Sequence, residues 1–240
     1  MDIYEKTDIG CKRSENQDRV VTMRLDDSTV FAVVCDGMGG ENAGSLASEK
    51  AIEVVCDRVK SAYRSGCDAN SVKSLLINSV RTANAVVHDI ASYDESKRGM
   101  GTTCVAAIRR GNMAYIVNVG DSRAYVIDGG IVRITKDHTY VMSLYEKGQI
   151  RFDELRTHPK RNMLIRAVGV EEKVFPDFFE AELSENGIVL LCSDGLCGVC
   201  DDEQILEAVE NTPPEKTAEA LIELALENGS TDNITTALIY

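Results

Sequence analysis

Four short β-rich segments, at 104–108, 113–119, 123–127 and 131–134, follow one another with only a few residues between them. The spacers Gly111-Asn112 and Asp128-Gly129-Gly130 have the composition of tight hairpin turns, which join antiparallel neighbours. This series is what most restricts the fold, because hairpins oppose a parallel, doubly wound sheet. Three further apolar runs, 30–35, 188–192 and 234–239, have the length and β-branched content of buried strands.

Helical periodicity alternates with these strands. Ala47, Ala51, Val54, Val55, Val59 and Ala62 mark one apolar stripe, and Leu75, Leu76, Val80, Ala83, Val86, Val87 and Ile90 mark another. Thr212-Pro213-Pro214-Glu215 reads as a helix start with Thr212 as N-cap, and Gly229 as its stop. Helices with one apolar face, set among antiparallel strands, are expected to cover the outer faces of stacked sheets. No repeat or linker breaks the 240 residues, so a single domain is expected.

A hydrophobic fraction of 44% supports a sizeable core, and no apolar run reaches the roughly 18 residues that mark a membrane span. The beginning, Met1-Asp2-Ile3-Tyr4-Glu5-Lys6, has no signal-peptide pattern, so the expected location is the cytoplasm, with reduced thiols. A net charge of −13 argues against nucleic acid and anionic membrane as partners. Of the eight cysteines only Cys197 and Cys200 form a CxxC pair; without a second pair or a nearby histidine it does not make a zinc site.

The chemistry lies in where aspartates fall. Val33-Val34-Cys35-Asp36-Gly37 and Leu190-Leu191-Cys192-Ser193-Asp194-Gly195 share one design: a buried strand ends, an aspartate follows, then a glycine. Asp121 stands at another strand end, Asp232 just before the last strand, and Asp18 closes Arg13-Ser14-Glu15-Asn16-Gln17-Asp18. Any one Asp-Gly is usually an ordinary turn. Five such placements point instead to carboxylates held at strand ends, which would repel unless cations neutralised them. Hard oxygen donors favour Mg²⁺ or Mn²⁺. The glycine beside each carboxylate would let backbone approach a ligand.

These residues resemble the type 2C (PPM) metal-dependent serine/threonine protein phosphatases, in a bacterial-like form. The resemblance runs through Arg13 to Asp18, Asp36-Gly37-Met38-Gly39-Gly40, Gly101-Thr102-Thr103, Val119-Gly120-Asp121-Ser122-Arg123, Ser193-Asp194-Gly195 and Asp232-Asn233. It implies an α+β fold, a four-layer α/β/β/α sandwich of two antiparallel β-sheets flanked by helices. It also implies two Mn²⁺ or Mg²⁺ ions, with a weaker third. Asp36 would bridge two of them, Gly37 would ligate through its carbonyl, Asp194 and Asp232 would complete one shell, and Asp18 would serve the other. Asp121 would hold the third ion, and Arg13 would grip the substrate phosphate. The expected reaction is direct attack on phosphoserine or phosphothreonine by a water readied between two cations roughly 4 Å apart, with Arg13, Asp36 and Asp194 carrying the catalysis.

The same resemblance makes phosphorylated proteins the partners, including a cognate serine/threonine kinase, and a monomer the expected state. Met38 replaces a histidine that many eukaryotic relatives use to protonate the leaving group, and a thioether cannot donate a proton. His88 is read as structural, while His138 and His158 remain open as donors. Residues 136–166 hold seven Lys/Arg against four Asp/Glu, a local charge of +3. By resemblance this region belongs to a flap at about 138–168, in which Arg156, Lys160 and Arg161 would steer acidic phosphopeptides.

Three rival readings compete with this one. A dinucleotide site fails because Asn42 ends what would be GxGxxG, and because Asp36 would repel a pyrophosphate. A non-catalytic regulator of the same fold, and a hydrolase of small phosphate esters, stay open.

Overall fold

The computed structural model describes residues 1–39 and 43–240, so Gly40, at the end of the Asp36 motif, lies outside the described residues. Two antiparallel sheets stack face to face. One runs β1 (Ile3–Asp8), β11 (Ile234–Ile239), β10 (Ile188–Cys192), β7 (Arg123–Ile127), β8 (Ile131–Arg133). The other runs β2 (Asp18–Asp26), β3 (Thr29–Met38), β5 (Cys104–Arg110), β6 (Met113–Val119), β9 (Asp177–Glu182), with β4 (Gly101–Thr102) paired to the end of β3. Helices α1 (Ala43–Ala62) and α2 (Ala69–Tyr93) cover the second sheet, and α4 (Asp194–Cys197), α5 (Asp202–Glu210) and α6 (Pro214–Glu227) cover the first. This is the expected four-layer sandwich.

The continuous apolar runs are explained by burial on both faces. In β3, Val30, Ala32 and Val34 pack between the sheets, while Phe31, Val33 and Cys35 pack against α1 and α2. In β10, Val189 and Leu191 face the other sheet, and Leu190 and Cys192 face α5 and α6. Each large side chain buried this way contributes roughly 1.5–3 kcal/mol. Ala47, Ala51, Val55 and Val59 of the first predicted stripe are buried, as are Leu76, Val80, Ala83 and Val87 of the second.

One helix start differs from expectation. Helix α6 begins at Pro214, with Pro213 before it at φ −57°, ψ 142°, and Thr212 makes no side-chain cap. The cause is steric: a residue that precedes proline is driven out of the helical region, so Pro213 stays extended and Thr212 falls a position too early. The predicted stop holds, with Gly229 at φ +79° just past Asn228.

The two ends of the sandwich are different. At one, Arg109 from β5 is 2% exposed and donates to the carbonyls of Gly187 and Ile239, tying the sheets together. At the other end, Asp36 lies near the end of β3, and Asp121 and Asp194 each stand two residues past the ends of β6 and β10. Beyond β8, α3 (Tyr140–Glu146) is capped by Thr139, whose hydroxyl accepts from Met142 N–H at 3.2 Å. The chain then runs largely without regular structure to β9.

Candidate metal centre

Asp18 and Asp36 stand directly opposite each other across β2 and β3. Asp18 is 1% exposed, and its Oδ2 accepts a 2.7 Å hydrogen bond from Ser193 Oγ on the other sheet. Ser193 Oγ in turn accepts from Thr235 N–H at 3.0 Å, so one hydroxyl joins the two sheets behind the carboxylates. The backbone of Asp36 is held by Gly101-Thr102-Thr103: Asp36 N–H donates to Thr103 Oγ1 (2.9 Å), and Thr103 N–H donates to Asp36 O (2.8 Å).

Glycine is required here for a reason the sequence reading missed. A Cβ on Gly37 would stand 2.1 Å from Gly44 O, and one on Gly195 would stand 1.9 Å from Asn233 O. The space beside each aspartate is filled by another stretch of chain, and that contact draws the strand ends together. Asn233 completes the arrangement. Its Oδ1 accepts from Gln17 N–H, and its Nδ2 donates to Ile9 O and Glu15 O, which fastens the Arg13–Asp18 loop beside Asp232. Arg13 itself donates to Asp232 Oδ2 at 2.6 Å with half its side chain in solvent.

The carboxylates act on one another. Burial pushes the Asp36 carboxyl well above the usual range, and the charges of Asp18, Asp194, Asp121 and Asp232 push it further. Burial raises Asp18 to about 7 against the stabilising hydroxyls of Thr235 and Ser193, with Asp194 and Asp232 adding to the rise. Burial and the charge of Asp232 raise Asp194 to about 6, relieved by a hydrogen bond with Asp36 and by Arg123 and Arg13. Asp121 is raised by burial and then by Asp194. All five predicted aspartates therefore belong to one electrostatic neighbourhood.

Two observations bear on whether a cation fits. Among the described residues, no three His, Cys, Asp or Glu side chains close on a common point in metal-ligating geometry. Yet Asp18 Oδ1 and Asp194 Oδ1 are buried without any hydrogen-bond donor, the state a carboxylate avoids unless a cation serves it. The donor set is all oxygen and strongly anionic, which suits Mn²⁺ or Mg²⁺. The residues fit the ions.

A cavity of about 700 Å³ opens from Asp121 and Asp194. Arg156, Arg161, Asp201 and Asp202 are among the residues that line it. Lys160 does not join them; its Nζ lies 5.1 Å from the centre of the Tyr140 ring. Cys197 and Cys200 are buried in the core under α5 and α6. His88 lines a separate cavity with Tyr93 and Arg98. His158 Nδ1 accepts from Lys160 N–H, and His138 has both ring nitrogens engaged.

Comparison with known proteins gives a consistent picture. The family model described as Protein phosphatase 2C matches residues 12–224. A serine/threonine phosphatase, stp, of Listeria monocytogenes is 36% identical over 98% of this chain and 93% of its own length. The crystal structure of the serine/threonine phosphatase Stp1 from Staphylococcus aureus superposes with a TM-score of 0.92 at 34% identity, covering 98% of this chain and 93% of that one. The catalytic domain of the phosphatase PstP, solved in complex with two manganese ions, superposes with a TM-score of 0.84 at 31% identity, covering 99% and 96%.

Proposed function

The chain belongs to the protein phosphatase 2C family and is a protein-serine/threonine phosphatase; from that premise we propose that the carboxylate cluster at the open end of the sandwich is its catalytic centre. The observation that carries this reading is the pair of buried, donorless oxygens, Asp18 Oδ1 and Asp194 Oδ1, within a group of aspartates whose carboxyls burial and mutual repulsion raise. Two divalent cations, Mn²⁺ or Mg²⁺, would be held by Asp36, the Gly37 carbonyl, Asp194, Asp232 and Asp18, with Asp121 serving a weaker third. When bound, they supply charge neutralisation and Lewis-acid activation for hydrolysis of a phosphate monoester.

The chain's own groups do the rest. Asp36 and Asp18 are fixed opposite each other by strand pairing, and Ser193 orients Asp18 from behind. Arg13 reaches the mouth of the cluster, where its planar fork can turn from Asp232 to two oxygens of a phosphoserine or phosphothreonine. Met38 donates no proton, and His138 has none to spare, so neither side chain is the acid for the leaving alkoxide. Residues 138–168 form a flap, and Arg156 and Arg161 on the cavity wall recognise the chain around the phosphorylated residue. The substrates are phosphoproteins, including products of a serine/threonine kinase and the kinase itself. Among the described residues no helix is long and apolar enough to cross a membrane.

Phosphate release from a phosphothreonine peptide, measured with Mn²⁺ and with EDTA, tests the reading. Turnover that needs Mn²⁺ and exceeds that on nucleotides supports it; equal turnover on nucleotides favours a small-ester hydrolase, and none at all favours a regulator.

A further inference from the structure

The two stems of the segment beside the cavity meet on one carboxylate. At the outgoing stem, Arg166 donates to Asp177 Oδ1 at 2.6 Å and to Phe175 O at 2.9 Å. At the incoming stem, the His138 ring lies 3.0 Å from Asp177 Oδ2, and His138 O accepts from Ile165 N–H at 2.9 Å.

His138 also grips the loop that carries Asp121. Its backbone N–H donates to Gly120 O at 2.9 Å, and Gly120 N–H donates to His138 Nδ1 at 3.0 Å. A backbone amide can only donate, so Nδ1 bears no proton. In the neutral ring the single proton is then on Nε2, which lies 3.0 Å from Asp177 Oδ2 and 2.9 Å from Arg166 Nη1. A guanidinium cannot accept, so the proton is directed at Asp177, and the two Nη1 hydrogens of Arg166 go to Asp177 Oδ1 and Phe175 O. The residue is 4% exposed, and burial lowers its pKa, which keeps the ring neutral. On the opposite side Gly120 rests on Thr103, whose hydroxyl accepts from Asp36 N–H. Gly120 is thus held between a residue that anchors Asp36 and a histidine that anchors the flap.

We propose that His138 is a positioning residue: through Gly120 it sets the place of the Asp121 carboxylate in the acidic cluster, and through Asp177 it makes that placement depend on the closed stems of the flap. Neither ring nitrogen is left to meet substrate, which separates this role from proton donation. Its consequence for turnover rests on the cluster being the catalytic centre; the hold on Gly120 does not.

Three variants and two readouts test it. His138→Leu removes both ring contacts, His138→Asn keeps an acceptor near the Nδ1 position, and Asp177→Ala cuts only the flap side. In metal-free protein, hydrogen exchange at the Gly120 amide should speed up about tenfold in His138→Leu, the loss expected for one buried hydrogen bond. His138→Asn should restore most of that protection. In Mn²⁺-dependent peptide turnover, His138→Leu should lower kcat about tenfold with little change in KM and need more Mn²⁺ for half-activation, and His138→Asn should rescue both. Asp177→Ala should raise exchange at Ile165 and Gly120 together, and it replaces the leucine variant if that one does not fold. Wild-type exchange at Gly120 in either variant, or an asparagine variant that folds but rescues nothing, overturns the proposal. If the wild-type protein lacks Mn²⁺-dependent turnover, the functional reading fails while the exchange measurement still decides the role of His138.

Discussion

Arg13 Nη2 donates to Asp232 Oδ2 at 2.6 Å, a cation from the first loop of the chain resting on the carboxylate that precedes its last strand. In the proposed reaction the same guanidinium serves the substrate phosphate, so metal and arginine compete for Asp232. Arg13→Ala should therefore lower kcat/KM for a phosphopeptide about 100-fold, the usual cost of removing a group that stabilises developing charge. Its Mn²⁺ affinity, measured by calorimetry, should stay equal or improve. Weaker Mn²⁺ binding in step with lost turnover would show that Arg13 supports the cluster instead of the substrate.

The raised carboxyls predict an unusual pH dependence for the metal-free protein. Asp18 and Asp194 titrate near 7 and 6 in the fold, while in the unfolded chain an aspartate titrates near 3.9. Between about pH 4 and 7 the folded state binds more protons, so this contribution is present below pH 4 and lost as pH rises through 7. Melting in EDTA should fall from pH 5 to pH 8, by on the order of 1–3 kcal/mol of stability. Asp18→Asn, which removes a buried charge, should flatten that slope and raise the metal-free melting temperature at pH 8; an unchanged slope would contradict the assignment. Excess Mn²⁺ should reverse the trend in the wild type, because the ion competes with protons for the same oxygens.

Arg156 and Arg161 line the cavity that opens from Asp121 and Asp194, whereas Lys160 lies over Tyr140. Reversing both arginines, Arg156→Glu with Arg161→Glu, should cut kcat/KM for an acidic phosphopeptide about tenfold more than for a small aryl phosphate. Lys160→Glu alone should discriminate little between the two substrates. Equal losses on both substrates from the double reversal would mean that these arginines hold the flap in place without reading the peptide.

The core strands were legible because burial on both faces removes polar alternation: β3, β5, β6, β7, β10 and β11 all appear as apolar runs. Apart from the two-residue β4, the strands without a recognisable run were β1, β2 and β9, and each of these three lies at a sheet edge. Glu5 and Lys6 in β1 and Glu180 and Glu182 in β9 are exposed and break up the apolar pattern. Edge strands tolerate such charges, which protect them from stray pairing.

Four of the five aspartates were legible for a related reason, since Asp36, Asp121, Asp194 and Asp232 each adjoin a recognisable strand, whereas Asp18 opens β2 and was found only through the Arg13–Asp18 motif. What surrounds them was not. Ser193 and Asn233 act across 175 and more than 200 residues of sequence, on Asp18 and on the Arg13 loop. Their roles emerge only once the sheets are stacked. His138 lies where no periodicity exists, and its contact with Gly120 depends on a loop closing back over β6. The glycines after Asp36 and Asp194 were recognised as letting backbone approach a ligand, but that they also admit neighbouring backbone, Gly44 O and Asn233 O, could not be seen from the sequence.

The central claim is that these carboxylates share cations, and Asp36, raised by burial and then by four neighbouring carboxylates, is the group on which it turns. Calorimetric titration of EDTA-stripped protein with Mn²⁺ tests this most directly, with wild type and Asp36→Asn compared at matched foldedness. The account predicts at least two ions bound per wild-type chain, and loss of high-affinity binding together with phosphopeptide hydrolysis in the folded asparagine variant. A variant that binds Mn²⁺ with wild-type stoichiometry and affinity, or keeps wild-type turnover, would contradict it.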